Sequence, residues 1–186
     1  EEQALQNLGF LLWGGNRENK AYNEATMGYN TNSNISSIVY NSNERGFTAP
    51  YLVGYMESHD EERLMYKNLT YGNTSGTYNA KNLSTALRRM EAATSLFLTI
   101  PGPKMIWQFG ELGYDFSINR CEDGTINNNC RLDKKPIRWD YTAIVQRKRL
   151  YDILSAMNKL RFHPWYKDVF IANNINLNRN LAGAFK

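Results

Sequence analysis

Two short apolar runs, each ending in a carboxylate and separated by one amphipathic stretch, restrict the folds open to this chain more than any other feature. The run from Tyr51 to Met56 leads into Glu57, Ser58, His59 and Asp60, and the run from Lys104 to Gly110 leads into Glu111. Between them Leu83, Ala86, Leu87, Met90, Ala93 and Phe97 recur at helical spacing, with Arg88, Arg89 and Glu91 in the gaps. Residues 82–99 therefore predict a helix whose apolar stripe faces a sheet, stopped by Pro101, Gly102 and Pro103. Strand, acidic ending, helix, strand, acidic ending is the βαβ alternation of a parallel sheet. Ile144, Leu150, Ile153, Leu154, Met157 and Leu160 predict a further helix from about 142 to 161, closed by Phe162, His163 and Pro164.

A strand buried on both faces normally ends in turn residues, whereas the first run delivers His59 and Asp60 side by side at its C-terminal edge. In parallel α/β folds that edge is where sites are built. A His-Asp pair is also a common structural feature, so its weight comes from this setting. Glu61, Glu62, Arg63 and Lys67 behind it admit two readings. They are a solvated helix start with acids at the positive end of the dipole, or Glu61, Arg63 and Lys67 reach a substrate in neighbouring subsites.

These residues resemble the second half of the catalytic barrel of the α-amylase family of glycoside hydrolases, most of all the secreted amylases of Bacteroides-type bacteria. His59 and Asp60 after a hydrophobic strand resemble the family's fourth signature region, at the end of the seventh barrel strand. Residues 101–113 resemble its eighth strand, and 135–141 the segment leading into the eighth helix. The resemblance covers residues 1 to about 162. It departs from the family at Ser58, where Asn is typical, and a hydroxyl reaches less far and offers fewer donors than an amide. The resemblance implies an α/β fold: a partial (β/α)8 TIM barrel holding about strands 6 to 8 with their helices in residues 1–164, and the beginning of a small β-sandwich domain in 165–186.

It also implies function. The parent would be a retaining α-glucan hydrolase acting on α-1,4 links of starch or maltooligosaccharides. Asp60 would stabilise the charged transition state and His59 would hydrogen-bond sugar hydroxyls beside it. Such enzymes use a carboxylate nucleophile and a carboxylic general acid, which in this family come from the fourth and fifth strands. Residues 1–9 read as a helix ended by Gly9 and resemble the family's fifth helix, so both groups are expected upstream and the fragment alone is expected to be inactive. The resemblance does not make Glu111 one of the three catalytic acids. It is expected either behind them as a supporting partner or in an ion pair with Arg131 or Arg138. The resemblance implies no cofactor within these residues and allows Ca2+ in the intact enzyme, with ligands mostly upstream. The alternatives are a non-catalytic carbohydrate-binding relative of the barrel, a glucan-transferring (branching-type) member, or a free-standing small α/β binding domain.

Length agrees with a part of a barrel. A complete one takes about 250 residues, and this sequence has 186. A half-barrel leaves two strand edges unpaired, which predicts an oligomer, aggregation, or dependence on the missing N-terminal half. The net charge is +4, yet no basic run of five or more occurs. The densest cluster, Arg147, Lys148 and Arg149, is expected on the solvent side of its helix, so nucleic acid is not the expected partner. The 12 tyrosines and 4 tryptophans suit stacking on pyranose rings and are equally ordinary core material. No apolar run approaches the ~20 residues of a membrane span.

Cys121 and Cys130 bracket a polar, turn-forming loop. Their spacing suits a disulfide closing a loop of about ten residues, worth roughly 2 to 3 kcal/mol by chain entropy, and two free thiols are the other reading. A disulfide implies an extracytoplasmic location, whether periplasmic, cell-surface or secreted. With two histidines in the chain and neither near the cysteines, zinc is not expected, and the metal expectation is none. Residues 14–50, rich in Asn, Gly, Ser and Tyr, read as long loops beside one short strand, 10–13, with room for one weak helix. Residues 169–172 and 177–185 read as short strands of the C-terminal domain.

Overall fold

The computed structural model describes residues 1–41 and 45–172. The chain opens with helix α1 (Glu2–Asn7), strand β1 (Leu12–Trp13) and helix α2 (Asn16–Met27). Strand β2 (Leu52–Tyr55), helix α3 (Leu64–Tyr71) and a hairpin, β3 (Thr74–Ser75) with β4 (Tyr78–Asn79), follow. Helix α4 (Leu83–Thr99), strand β5 (Lys104–Met105) and helix α5 (Val145–Arg161) complete the regular elements. Strands β1, β2 and β5 form a parallel sheet in chain order, with Leu12 opposite Leu52 and Gly54 opposite Lys104. Among the described residues the fold is thus mixed α/β, with a small parallel sheet that does not close into a barrel.

The predicted helices form where their stripes place them. Asn82 caps α4, its side-chain oxygen accepting the Ser84 and Thr85 N–H groups at 3.0 and 3.3 Å. Ala86, Leu87, Met90, Ala93 and Phe97 are fully buried, and each large side chain so buried contributes roughly 1.5–3 kcal/mol by removal from water. They meet Met56 beyond β2, Leu64 and Met65 of α3 and Leu150 of α5 in one core. Gly9, at φ +89°, takes the left-handed conformation just past α1.

Four expectations need correction. Residues 16–27 form a regular three-turn helix where long loops with room for one weak helix were expected. The apolar part of its buried face, Ala21, Tyr22, Ala25 and Met27, is interleaved with buried Glu18, Asn19 and Asn23, so the stripe is masked by polar residues with specific partners. Asn19 donates to the Met56 carbonyl at 3.0 Å and accepts from Asn23 at 2.7 Å. Glu18 accepts the Tyr55 N–H at 3.3 Å, continuing the sheet's ladder where β1 has ended. Gly14 leaves room for that carboxylate, since a Cβ there would stand 2.6 Å from Glu18 Oε2.

The second correction is Arg147, which is 3% exposed and not on the solvent side of its helix. It donates to the Leu112 carbonyl at 3.0 Å, to the Gly113 carbonyl and to Asp115 at 2.6 Å. Its guanidinium lies 3.7 Å from the centre of the Tyr141 ring. Third, residues 167–170 make a 3-10 turn where a strand was expected over 169–172. Phe170 is buried beneath the Arg161 guanidinium, at 4.6 Å, and its carbonyl accepts from Gly102 N–H. The strands expected over 177–185 fall outside the described residues. Fourth, α3 begins at Leu64, so Glu61 and Glu62 belong to a loop and not to a solvated helix start.

Candidate active-site cleft

Beyond the C-terminal ends of β2 and β5 the chain encloses an open cleft of about 520 Å³. Its floor comes from the loop 56–63 and from Trp107 and Gln108 past β5. Its far wall comes from 114–118 and 131–137. His59 and Asp60 both line it, four and five residues beyond the last residue of β2 rather than at the strand end itself.

The loop 56–63 has no regular ladder, and buried ionic and hydroxyl contacts shape it instead. Glu57, 5% exposed, accepts from Arg63 at 2.8 Å and from Leu64 N–H at 2.8 Å, supplying the N-terminal cap that α3 otherwise lacks. Arg63 donates on to the Gln108 carbonyl at 2.6 Å, bolting the ends of the β2 and β5 segments together. Ser58 donates to Glu61 and accepts the Asp60 N–H at 3.1 Å. The other Glu61 oxygen accepts the Tyr55 hydroxyl at 2.9 Å. Burial first, and then the Glu61 carboxylate, push the Tyr55 hydroxyl well above the ordinary tyrosine range, so it stays a donor.

Both Asp60 oxygens have partners. His59 Nε2 is 3.2 Å from Oδ2, and Arg131 Nη2 is 3.1 Å from Oδ1 while also donating to the Asp60 carbonyl. The Asp60 side chain nevertheless remains 62% exposed. The His59 ring lies 5.6 Å from that of Trp107, giving the floor a paired aromatic surface beside the carboxylate.

The far wall is fastened to the same loop. Glu62 accepts from Ser117 Oγ at 2.6 Å and from Ile118 N–H at 2.8 Å. Cys121 and Cys130 are joined in a disulfide, as their spacing suggests. The Lys135 amine gathers the carbonyls of Arg120, Cys130 and Asp133 at 2.9, 2.8 and 2.9 Å. Burial is the first cause lowering the proton affinity of that amine.

The site candidates from the sequence separate accordingly. Arg63 lines the cleft but is 4% exposed and committed to Glu57 and Gln108, which makes it a strut. Glu61 is occupied by Tyr55 and Ser58 and is not among the cleft-lining residues. Lys67 sits on α3 with its amine 4.8 Å from the Tyr71 ring, also away from the cleft. Glu111 pairs with neither Arg131, which holds Asp60, nor Arg138, which holds Asp140 at 2.6 Å. It stands in a 3-10 turn (Gly110–Leu112) on a separate surface groove with Phe109, Trp139 and Tyr151. The reason is that β5 is only two residues long and Phe109 adopts φ +58°, turning the chain before Glu111 can face the sheet's edge.

The residues missed were Glu57, Trp107 and the Asp60 contact of Arg131. Glu57 was visible in principle, because a carboxylate directly continuing a buried apolar strand needs a cationic partner where it is buried, and Arg63 is the nearest Arg or Lys in the chain. Among the described residues the one cluster with metal-ligand types is Cys121, Cys130 and Asp133, and its two sulfurs are already bonded to each other. No helix of the described residues is long and apolar enough to cross a membrane. No protein-family model matches the chain, and a search of curated proteins finds no match.

Proposed function

We propose that these residues belong to a retaining α-glucan hydrolase of the α-amylase type and supply part of its substrate cleft. The observation that carries this reading is the juxtaposition of Asp60, His59 and Trp107 in one open cleft at the carboxyl ends of two parallel strands. Cleavage of a glycosidic bond passes through an oxocarbenium-like state with positive charge on the sugar ring. An exposed carboxylate beside an aromatic floor can face that charge while the ring face packs on indole. His59 is placed to hydrogen-bond the hydroxyls of the same sugar. The strand order β1, β2, β5, with each strand beside its predecessor, supports reading them as three successive strands of a partial (β/α)8 barrel. Residues from 165 onward would begin the C-terminal β-domain, and the disulfide supports an extracytoplasmic setting.

A retaining mechanism needs two further carboxyl groups about 5–5.5 Å apart. Among the described residues Asp60 and Asp133 are the only carboxylates lining the cleft. On this reading nucleophile and general acid lie on chain outside these 186 residues, and any calcium ligands with them. The same shortage of carboxylates favours, as second reading, a relative that binds glucan without cleaving it. A branching-type transferase would use the same Asp60. The test is the gene product containing these residues, assayed on soluble starch beside its Asp60→Asn variant. A loss of at least ~10²-fold in kcat, about 2.7 kcal/mol of transition-state stabilisation, supports the hydrolase. Retained binding to amylose with no cleavage by either protein moves the binding relative ahead, and a variant as active as its parent removes Asp60 from the mechanism.

A further inference from the structure

We propose that Arg131 is a positioning residue for Asp60 and that the Cys121–Cys130 disulfide is what holds it there. The inference rests on the role given to Asp60 above. Asp60 lies on a loop and is 62% exposed, so its carboxylate needs external reference points to keep one orientation. His59 moves with the same loop and cannot fix that loop against the rest of the cleft. Arg131 comes from 71 residues further along the chain and engages both the Asp60 carbonyl and Oδ1 through one Nη2. It therefore sets main chain and side chain together.

An exposed Arg–Asp pair on a mobile loop is worth little, about 0–1 kcal/mol, because ordering a long side chain offsets the attraction. Here the backbone of Arg131 is already fixed. It follows Cys130 directly, and the disulfide ties Cys130 to Cys121. Lys135 draws in the carbonyls on either side of the bond, those of Arg120 and Cys130. Glu62, two residues after Asp60, clasps Ser117 and Ile118 at the root of the same loop. These contacts form a closed circuit in which Asp60 and Arg131 are the two ends that meet across the cleft. The planar guanidinium holds both oxygens in a rigid, pre-oriented geometry, whereas a lysine ammonium would offer rotatable donors on a flexible stem and fix their orientation less.

Two measurements on the gene product containing these residues test this. The first is independent of activity: the 15N order parameter of the Arg131 Nε–H, expected high in the parent and clearly lower once the clamp is broken. The fall is expected both in Asp60→Asn and after dithiothreitol has taken the disulfide to two thiols. An Arg131 equally ordered in all three states overturns the proposal. The second is kinetic: Arg131→Met is expected to lower kcat on soluble starch about tenfold with KM changed less than about twofold, and Arg131→Lys to recover only part. Reduction should cost the parent a similar factor and cost Arg131→Met nothing further, because the disulfide acts through this arginine. Equal losses on reduction in both proteins overturn that link. If no glucan is cleaved, the proposed function falls, and the order parameters alone decide the Arg131 clamp.

Discussion

The Glu57 carboxylate stands 2.8 Å from the Arg63 guanidinium with both side chains nearly closed to solvent, 6% and 4% exposed. The pair is surrounded by useful partners, Leu64 N–H on one side and the Gln108 carbonyl on the other, and the guanidinium packs 4.6 Å from the Tyr114 ring centre. Removing one member leaves the other charged and buried. Arg63→Met is therefore expected to destabilise the protein by roughly 3–5 kcal/mol, read from urea unfolding. Arg63→Lys should recover only part of this, since one ammonium cannot reproduce the fork. A loss below about 1 kcal/mol would show that water reaches Glu57, contrary to its burial.

Arg147 makes a parallel case beside the smaller apolar cluster of Phe109, Leu112, Tyr114 and Tyr141. It joins two carbonyls of the turn after β5 to Asp115 and lies against Tyr141. Burial and the Asp115 hydrogen bond push the Tyr141 hydroxyl well above the ordinary range, so it remains a donor to Asp115. Arg147→Met should cost roughly 3–5 kcal/mol, whereas Arg149→Met, whose side chain is 59% exposed over Glu91, should cost at most ~1 kcal/mol. Equal losses from both would contradict their different burial.

That contrast shows what the sequence could and could not reveal. Arg147, Lys148 and Arg149 look alike as a basic triplet, and only the tertiary position of Leu112, Gly113 and Asp115 decides that one of them turns inward. The α4 stripe was legible because its buried positions are apolar, so periodicity and packing agree. The α2 stripe was not, since Glu18, Asn19 and Asn23 are buried through hydrogen bonds that no local pattern encodes. His59 and Asp60 were placed at the right edge of the sheet because strand direction follows from the βαβ order. Their link to Arg131 was hidden, because it depends on how a disulfide-closed loop folds back over 71 residues.

Gly113 offers a test of the packing between the core and the cleft wall. It sits at φ +67°, and a Cβ there would lie 2.6 Å from Leu87 Cδ2 and 3.2 Å from Met65 Cγ. Leu87 and Met65 are fully buried and have no free direction in which to retreat. Gly113→Ala is expected to cost roughly 1–2 kcal/mol for the left-handed backbone plus about 1–3 kcal/mol for overpacking. A urea midpoint unchanged from the parent would mean that the turn relaxes without disturbing α4.

Glu18 predicts how stability varies with pH. Burial, its largest influence, raises the carboxyl from 4.5 to about 7, against the opposing pull of Tyr55 N–H, Arg45 and Lys104. The folded protein thus binds this proton more tightly than the unfolded chain does. The stabilisation is fully present below pH 4.5 and is lost as pH rises through about 7, a total of about 3 kcal/mol. Lys104, lowered to about 7 by burial and then by Arg161, acts in the window above: its contribution is full above 10.5 and is lost as pH falls toward 7. Tyr22, raised well above 10 by burial, stays neutral. Glu18→Gln keeps a carbonyl for Tyr55 N–H and removes the proton equilibrium. The unfolding free energy of the parent minus that of Glu18→Gln should fall between pH 5 and pH 7 and then level, provided Lys104 titrates alike in both. A difference that stays flat over that window would mean Glu18 is ionised in the fold at pH 5, with Arg45 and Lys104 outweighing its burial.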